Sequence, residues 1–130
     1  MVSGVVFKGV QHEALRELAI IDTPGAIDTI DELGRGVNYQ AMISDLADCA
    51  DLVLVMLDPE KARAIQEGRT TLRDFLPQKV DAARIVGGLN RIDECPTLDS
   101  LLGLYGALCW DLARQSGRQK PVRILLTFSE

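Results

Sequence analysis

The sequence predicts an α/β fold: three layers, with a mainly parallel sheet flanked by helices. Three observations predict it. Short continuous apolar runs recur along the chain, and each ends at a polar residue. Segments with helical spacing lie between those runs. Strand and helix then alternate in the order expected of right-handed βαβ crossovers.

The runs come first. Leu18-Ala19-Ile20-Ile21 stops at Asp22, and Leu52-Val53-Leu54-Val55-Met56-Leu57 stops at Asp58. Ala82-Ala83-Arg84-Ile85-Val86 leads through Gly87 and Gly88 to Leu89 and Asn90. Val122, Ile124, Leu125 and Leu126 form the last run. Apolar runs of this length suit strands buried on both faces of a parallel sheet. Val5-Val6-Phe7 is a further candidate strand, with Gly9 as a break.

Three helices are expected between them. Val37 to Ala50 places Ala41, Met42, Leu46 and Cys49 at helical spacing. Ala62 to Leu76 gathers Ile65, Leu72, Phe75 and Leu76 on one side, and Pro77 ends it. Leu98 to Arg114 carries the clearest stripe, through Leu101, Leu102, Tyr105, Leu108, Cys109 and Leu112. The segment from Ala26 to Gly36 is the one long polar connection, a position where loops are often functional.

Composition narrows the function. The 130 residues are 47% hydrophobic, enough for one core, and carry a net charge of -5. The sequence pI near 4.9 argues against a nucleic-acid partner and gives no attraction to anionic lipid. Cys49, Cys95 and Cys109 are scattered and His12 stands alone, so reduced thiols in the cytoplasm are expected rather than a zinc site. Neither a membrane-spanning stretch nor a secretory signal is expected.

Two strand ends carry chemistry. In open α/β sheets, ligands bind beyond the carboxyl ends of the strands. Asp22-Thr23-Pro24-Gly25 follows the first run. A carboxylate there can hold magnesium beside a nucleotide's phosphates, and Gly25 can offer its N–H to a terminal phosphate. The same four residues also make a good turn. Asn90-Arg91-Ile92-Asp93 follows the third run. It has the form of the Asn-Lys-x-Asp motif of nucleotide-binding GTPases. There the Asp accepts hydrogen bonds from the base edge, the Asn ties neighbouring loops, and the Lys stem lies along the base. Arg91 stands in place of that Lys and can stack on a ring face. Alone, the first motif reads equally as a turn or a phosphate sensor and the second more often as an ordinary loop; both in order, each after its own buried strand, point to a GTPase-type domain. Leu126-Thr127-Phe128-Ser129 is a third candidate: in GTPase domains a small polar residue there often supports the base through backbone contacts, and a plain strand end accounts for the run at least as well.

With these motifs the chain resembles the Eps15-homology-domain (EHD) ATPases, relatives of dynamin. The matching residues are Asp22-Thr23-Pro24-Gly25, Arg35-Gly36 with Tyr39, Leu52 to Asp58, Asn90-Arg91-Ile92-Asp93, and Tyr105-Gly106-Ala107-Leu108-Cys109-Trp110. They extend from about Gln11 to the C-terminus. The last run is the most specific, because no phosphate chemistry requires it; core packing of one helix accounts for it equally. The resemblance implies a P-loop GTPase-like fold and a magnesium-dependent nucleoside triphosphatase acting at membranes. Its ligands would be a purine nucleotide, GTP or ATP, with Mg2+. It implies Asp22 at the metal, Gly25 at the terminal phosphate, and Asn90, Arg91 and Asp93 at the base. Adenine is favoured in the family despite the guanine-type motif, so Asp93 does not settle the base. Membrane contact would come through regions outside residues 1–130.

The sequence departs from that pattern in one respect. A P-loop requires Gly-x-x-x-x-Gly-Lys-Ser/Thr, whose backbone N–H groups, Lys and hydroxyl grip phosphate and magnesium. Gly4 and Gly9 have the glycine spacing, but Val10 and Gln11 follow. Ala26 stands where a glutamine would orient an attacking water. No catalytic residue is therefore assigned, and residues 1–130 are expected to be a partial nucleotide-binding domain without hydrolysis of their own. The alternative is a pseudo-GTPase or interaction scaffold of the same fold that binds no nucleotide. In the GTPase topology the P-loop strand lies between the strand ending at Asp22 and that ending at Asp58. Its absence predicts exposed sheet edges, filled by Val2 to Phe7 or by self-association.

Overall fold

A computed structural model describes residue 6 and residues 8–23, 39–67, 73, 76–77 and 80–128. Within them lie α1 (Tyr39–Cys49), β1 (Val53–Leu57), α2 (Pro59–Gln66), β2 (Ile85–Leu89), α3 (Leu98–Gln115) and β3 (Ile124–Leu126). Single 3-10 turns occur at Glu13–Leu15, Ala82–Arg84 and Ile92–Glu94. The three strands form one parallel sheet in the order β1-β2-β3. Val55 pairs with Gly87 and Leu57 with Leu89; on the other side Gly87 pairs with Ile124. Each parallel step is bridged by a helix, which is the α/β architecture the sequence predicts.

Local chemistry starts and stops the helices. Asp58 caps α2: its carboxylate accepts from the Lys61 N–H at 2.8 Å, and Pro59 occupies the first turn, where no N–H is needed. Thr97 caps α3 by accepting from the Ser100 N–H at 3.1 Å. At the other end Gly117 takes a positive φ of 71°. The Arg118 N–H then reaches the Ala113 carbonyl at 2.8 Å and the Gly117 N–H reaches Arg114 at 3.3 Å, closing the helix.

One sheet face is dry. Val55, Leu57, Ile85, Leu89 and Ile124 bury themselves against Leu104, Leu108, Leu112 and Ala113 of α3 and Ala62 and Ile65 of α2. Leu89, the last residue of the middle strand, is fully buried. Gly87 permits this contact, because a Cβ there would lie 2.9 Å from Leu112 Cδ2. The other face shows Leu54, Met56 and Leu125, all exposed. The first helix is moored differently: Arg84, just before β2, donates to the carbonyls of Ala47, at 2.6 Å, and Ala50 at the end of α1.

Several expectations change. Leu18–Ile21 is not a strand; it is irregular, and Leu18, Ile20 and Ile21 are exposed. A strand persists through its ladder, and among the described residues the outer edge of β1 has no partner and this run pairs with nothing. The second expected helix starts earlier, at Pro59, because Asp58 caps it, and it ends at Gln66 with Glu67 as its C-cap rather than running on to Leu76. The last strand begins at Ile124 rather than Val122. Only Val6 and no other residue of Val2–Phe7 is described, so the edge-filling strand lies outside the described residues. The Tyr105–Trp110 run divides: Leu108 and Cys109 are core, whereas Trp110 is 61% exposed.

Candidate functional site

The carboxyl ends of three adjacent parallel strands converge on one loop. β2 ends at Leu89, and Asn90 follows. The Asn90 N–H donates to the Leu57 carbonyl at 2.8 Å, so the loop leaves the sheet tied to the end of β1. On the other side the Thr127 N–H donates to the Leu89 carbonyl at 2.9 Å, and the Ile92 N–H donates to the Thr127 carbonyl at 3.3 Å. The Thr127 hydroxyl completes the frame by donating to Asn90 Oδ1 at 2.9 Å. Asn90 is half-buried, and residues 37 apart in sequence meet there.

Arg91 turns the chain. It adopts the left-handed region at φ 58° and ψ 38°, and it alone among the described non-glycine residues has a positive φ. Such a backbone is uncommon for a residue bearing a Cβ and is retained where surrounding bonds fix it. Here the flanking bonds of Asn90 and Ile92 supply that constraint. The Arg91 guanidinium pairs with Glu94 three residues on. Asp93 is exposed in the following 3-10 turn, and its carboxylate takes no hydrogen bond or ion pair from the described residues. The loop thus offers an unengaged carboxylate beside an amide and a guanidinium held in place.

The other sequence-predicted groups are placed less fully. Asp22 is exposed, in irregular chain, without a hydrogen bond or ion pair to the loop. Gly25 and the Ala26-to-Gly36 segment lie outside the described residues. Among the described residues no three His, Cys, Asp or Glu side chains gather as metal ligands. Asp58, at the end of its own strand, is committed to capping α2 and pairs with Lys61 at 3.8 Å. Its Asp-Pro-Glu sequence is the signal that identifies the cap. The side-chain role of Thr127 and the Arg91–Glu94 pair are not anticipated by the motif.

Among the described residues no helix is long and apolar enough to cross a membrane. No protein-family profile matches the chain, and no solved structure matches it. Curated proteins do. EH domain-containing protein 2 of Arabidopsis thaliana is 28% identical over 116 residues, which is 88% of this chain and 20% of that protein. EH domain-containing protein 2 of Homo sapiens and EH domain-containing protein 1 of Homo sapiens are each 28% identical over 116 residues, 88% of this chain and 21% of theirs. The chain spans about a fifth of the length of these relatives. By sequence it is a distant homologue of the EH domain-containing proteins.

Proposed function

We propose that residues 1–130 are part of a dynamin- or EHD-like nucleotide-binding domain, and that the loop at Asn90, Arg91 and Asp93 receives the purine base. One observation carries this reading. Asn90 is bonded to the ends of both neighbouring strands, while Asp93 keeps its carboxylate exposed and unengaged beyond them. A carboxylate is an acceptor only, and a base edge presents the N–H donors it needs. The homology to EH domain-containing proteins supports the same reading.

In a longer protein of this kind, Asp22 would serve Mg2+ and Gly25 the terminal phosphate of GTP or ATP. Residues 1–130 contain no P-loop Lys or hydroxyl, so base contacts dominate their affinity and hydrolysis is not expected of them alone. A cytoplasmic setting fits the free thiols, with membranes reached through other regions. The outer edge of β1 is the place for self-association, because Val53–Leu57 carries no charge that would oppose pairing with another chain.

Calorimetric titration with GTP and with ATP, each with magnesium, tests the nucleotide reading. Saturable binding that weakens in Asp93→Ala is expected. No detectable heat at millimolar nucleotide would instead leave a scaffold that binds none.

A further inference from the structure

We propose that the apolar run Leu18–Ile21 is an exchange strand: in a pair of chains, the run of each copy adds to the outer edge of β1 in the other. The proposal rests on self-association at that edge, names the segment that occupies it, and does not depend on nucleotide binding.

Two parts of the chain each lack what the other supplies. Leu18–Ile21 has the composition of a strand and no ladder: it is irregular, and Leu18, Ile20 and Ile21 are exposed, Ile20 to 73%. β1 has a ladder on the β2 side and, among the described residues, no strand on its outer side. The outward N–H and C=O groups of such an edge are a template for an extended segment. A segment laid along it takes those hydrogen bonds and stands its side chains beside those of the edge strand. Neither the run nor Val53–Leu57 carries a charge that pairing would desolvate, and Val53–Leu57 holds no Lys or Pro to guard the edge.

The faces agree as well. Leu52, Leu54 and Met56 stand on the open side of the sheet and are exposed, while Val55 and Leu57 face the core. Alternation along the run puts Leu18 and Ile20 on one side and Ile21 on the other. With Leu18 and Ile20 on the open side, they extend the stripe of Leu52, Leu54 and Met56, and Ile21 joins Val55 on the dry side. The second copy is the occupant because both halves stay open within one chain, whose run is not seated on its own β1. Exchange in both directions closes a two-fold pair, whereas exchange in one direction would leave an open string of copies. Six large apolar side chains of each copy then contribute, which brings the contact to the order of the 1,200 Å2 at which specific interfaces begin.

Size-exclusion chromatography with light scattering tests the exchange. The wild-type chain is expected to run at twice its 14.2 kDa and to dissociate on dilution. Ile20→Pro removes an N–H from the run, and Leu54→Lys puts a charge on the edge; each is expected to be monomeric. Both positions are exposed, so far-UV circular dichroism of the variants is expected to match the wild type. Mixing the two variants is expected to regenerate a dimer, because the Leu54→Lys chain still donates its run and the Ile20→Pro chain still offers its edge. A dimer that survives either single variant, or two variants that stay monomeric when mixed, would overturn the exchange and leave self-association standing. A wild-type chain that is monomeric at every concentration would overturn self-association itself.

Discussion

Leu112 of α3 rests against Gly87 of β2 so closely that an added Cβ would come within 2.9 Å of its Cδ2 and 3.1 Å of Ile124 Cγ1. Both neighbours are core residues with little room to move. Gly87→Ala is therefore expected to cost about 1–3 kcal/mol by overpacking. Gly88→Ala provides the contrast. It meets the flexible, exposed Met56 side chain, which can turn aside. Urea unfolding of the two variants should show a lower midpoint for the first and little change for the second.

Arg84 links the end of α1 to the start of β2 through the Ala47 and Ala50 carbonyls. Its guanidinium adds a second donor to the Ala47 carbonyl, which also accepts from the Ala50 N–H at 3.3 Å, and engages the Ala50 carbonyl just past the helix. Arg84→Ala is expected to lose about 1.5–3 kcal/mol, the scale of a hydrogen bond to a charged group. Far-UV circular dichroism with denaturant should detect it, and Arg84→Lys should recover only part.

Asp58 follows β1 and caps α2 through its carboxylate. Asp58→Ala should cost about 1 kcal/mol, and Asp58→Asn less, since asparagine caps nearly as well. If Asp58 served nucleotide or magnesium directly, Asp58→Asn would lose binding while keeping stability; unchanged binding is the expected result of the same titration.

Burial pushes the Cys109 thiol up, while hydrogen bonds involving Tyr105 and the Ile124 backbone pull it partly back. The folded protein thus prefers the neutral thiol. Its contribution to stability is complete below the ordinary thiol value of about 8.5 and falls as pH rises through the raised folded value. A Cys109→Ala variant should show a shallower decline over that alkaline range. Thiol labelling of the native protein should modify exposed Cys49 first and Cys109 last.

Much of the sheet is legible in the sequence, and particular residues show why. Leu52 to Leu57 and Ile85 to Leu89 are bounded by Asp58 and Asn90, so both their length and their ends are marked. Leu98 to Arg114 announces itself by its stripe, and the structure adds the Thr97 cap and one more residue, Gln115. Leu18 to Ile21 is equally apolar and forms no strand, because hydrophobicity reports a wish for burial and not the presence of a neighbour to pair with. Trp110 shows the same gap on a helix: its spacing does not tell whether its side of α3 meets the sheet or water. At the site, the motif points to Asn90, Arg91 and Asp93. The Leu126-to-Ser129 run points to backbone support of the base but not to the Thr127 side-chain contact with Asn90, which is made by folding across residues 37 apart.

Among the described residues the parallel order β1-β2-β3 gives the middle strand ladder bonds on both sides, and each flanking strand ladder bonds on one. In amide hydrogen exchange, fraying therefore begins at β1 and β3, and β2 opens last. The loop that carries Asp93 grows from that last-opening strand. Its base is anchored in the most protected amides of the sheet, while Asn90 and Thr127 register any loosening of the two edges. Exposure of Asp93 and rigidity beneath it thus come from the same strand order.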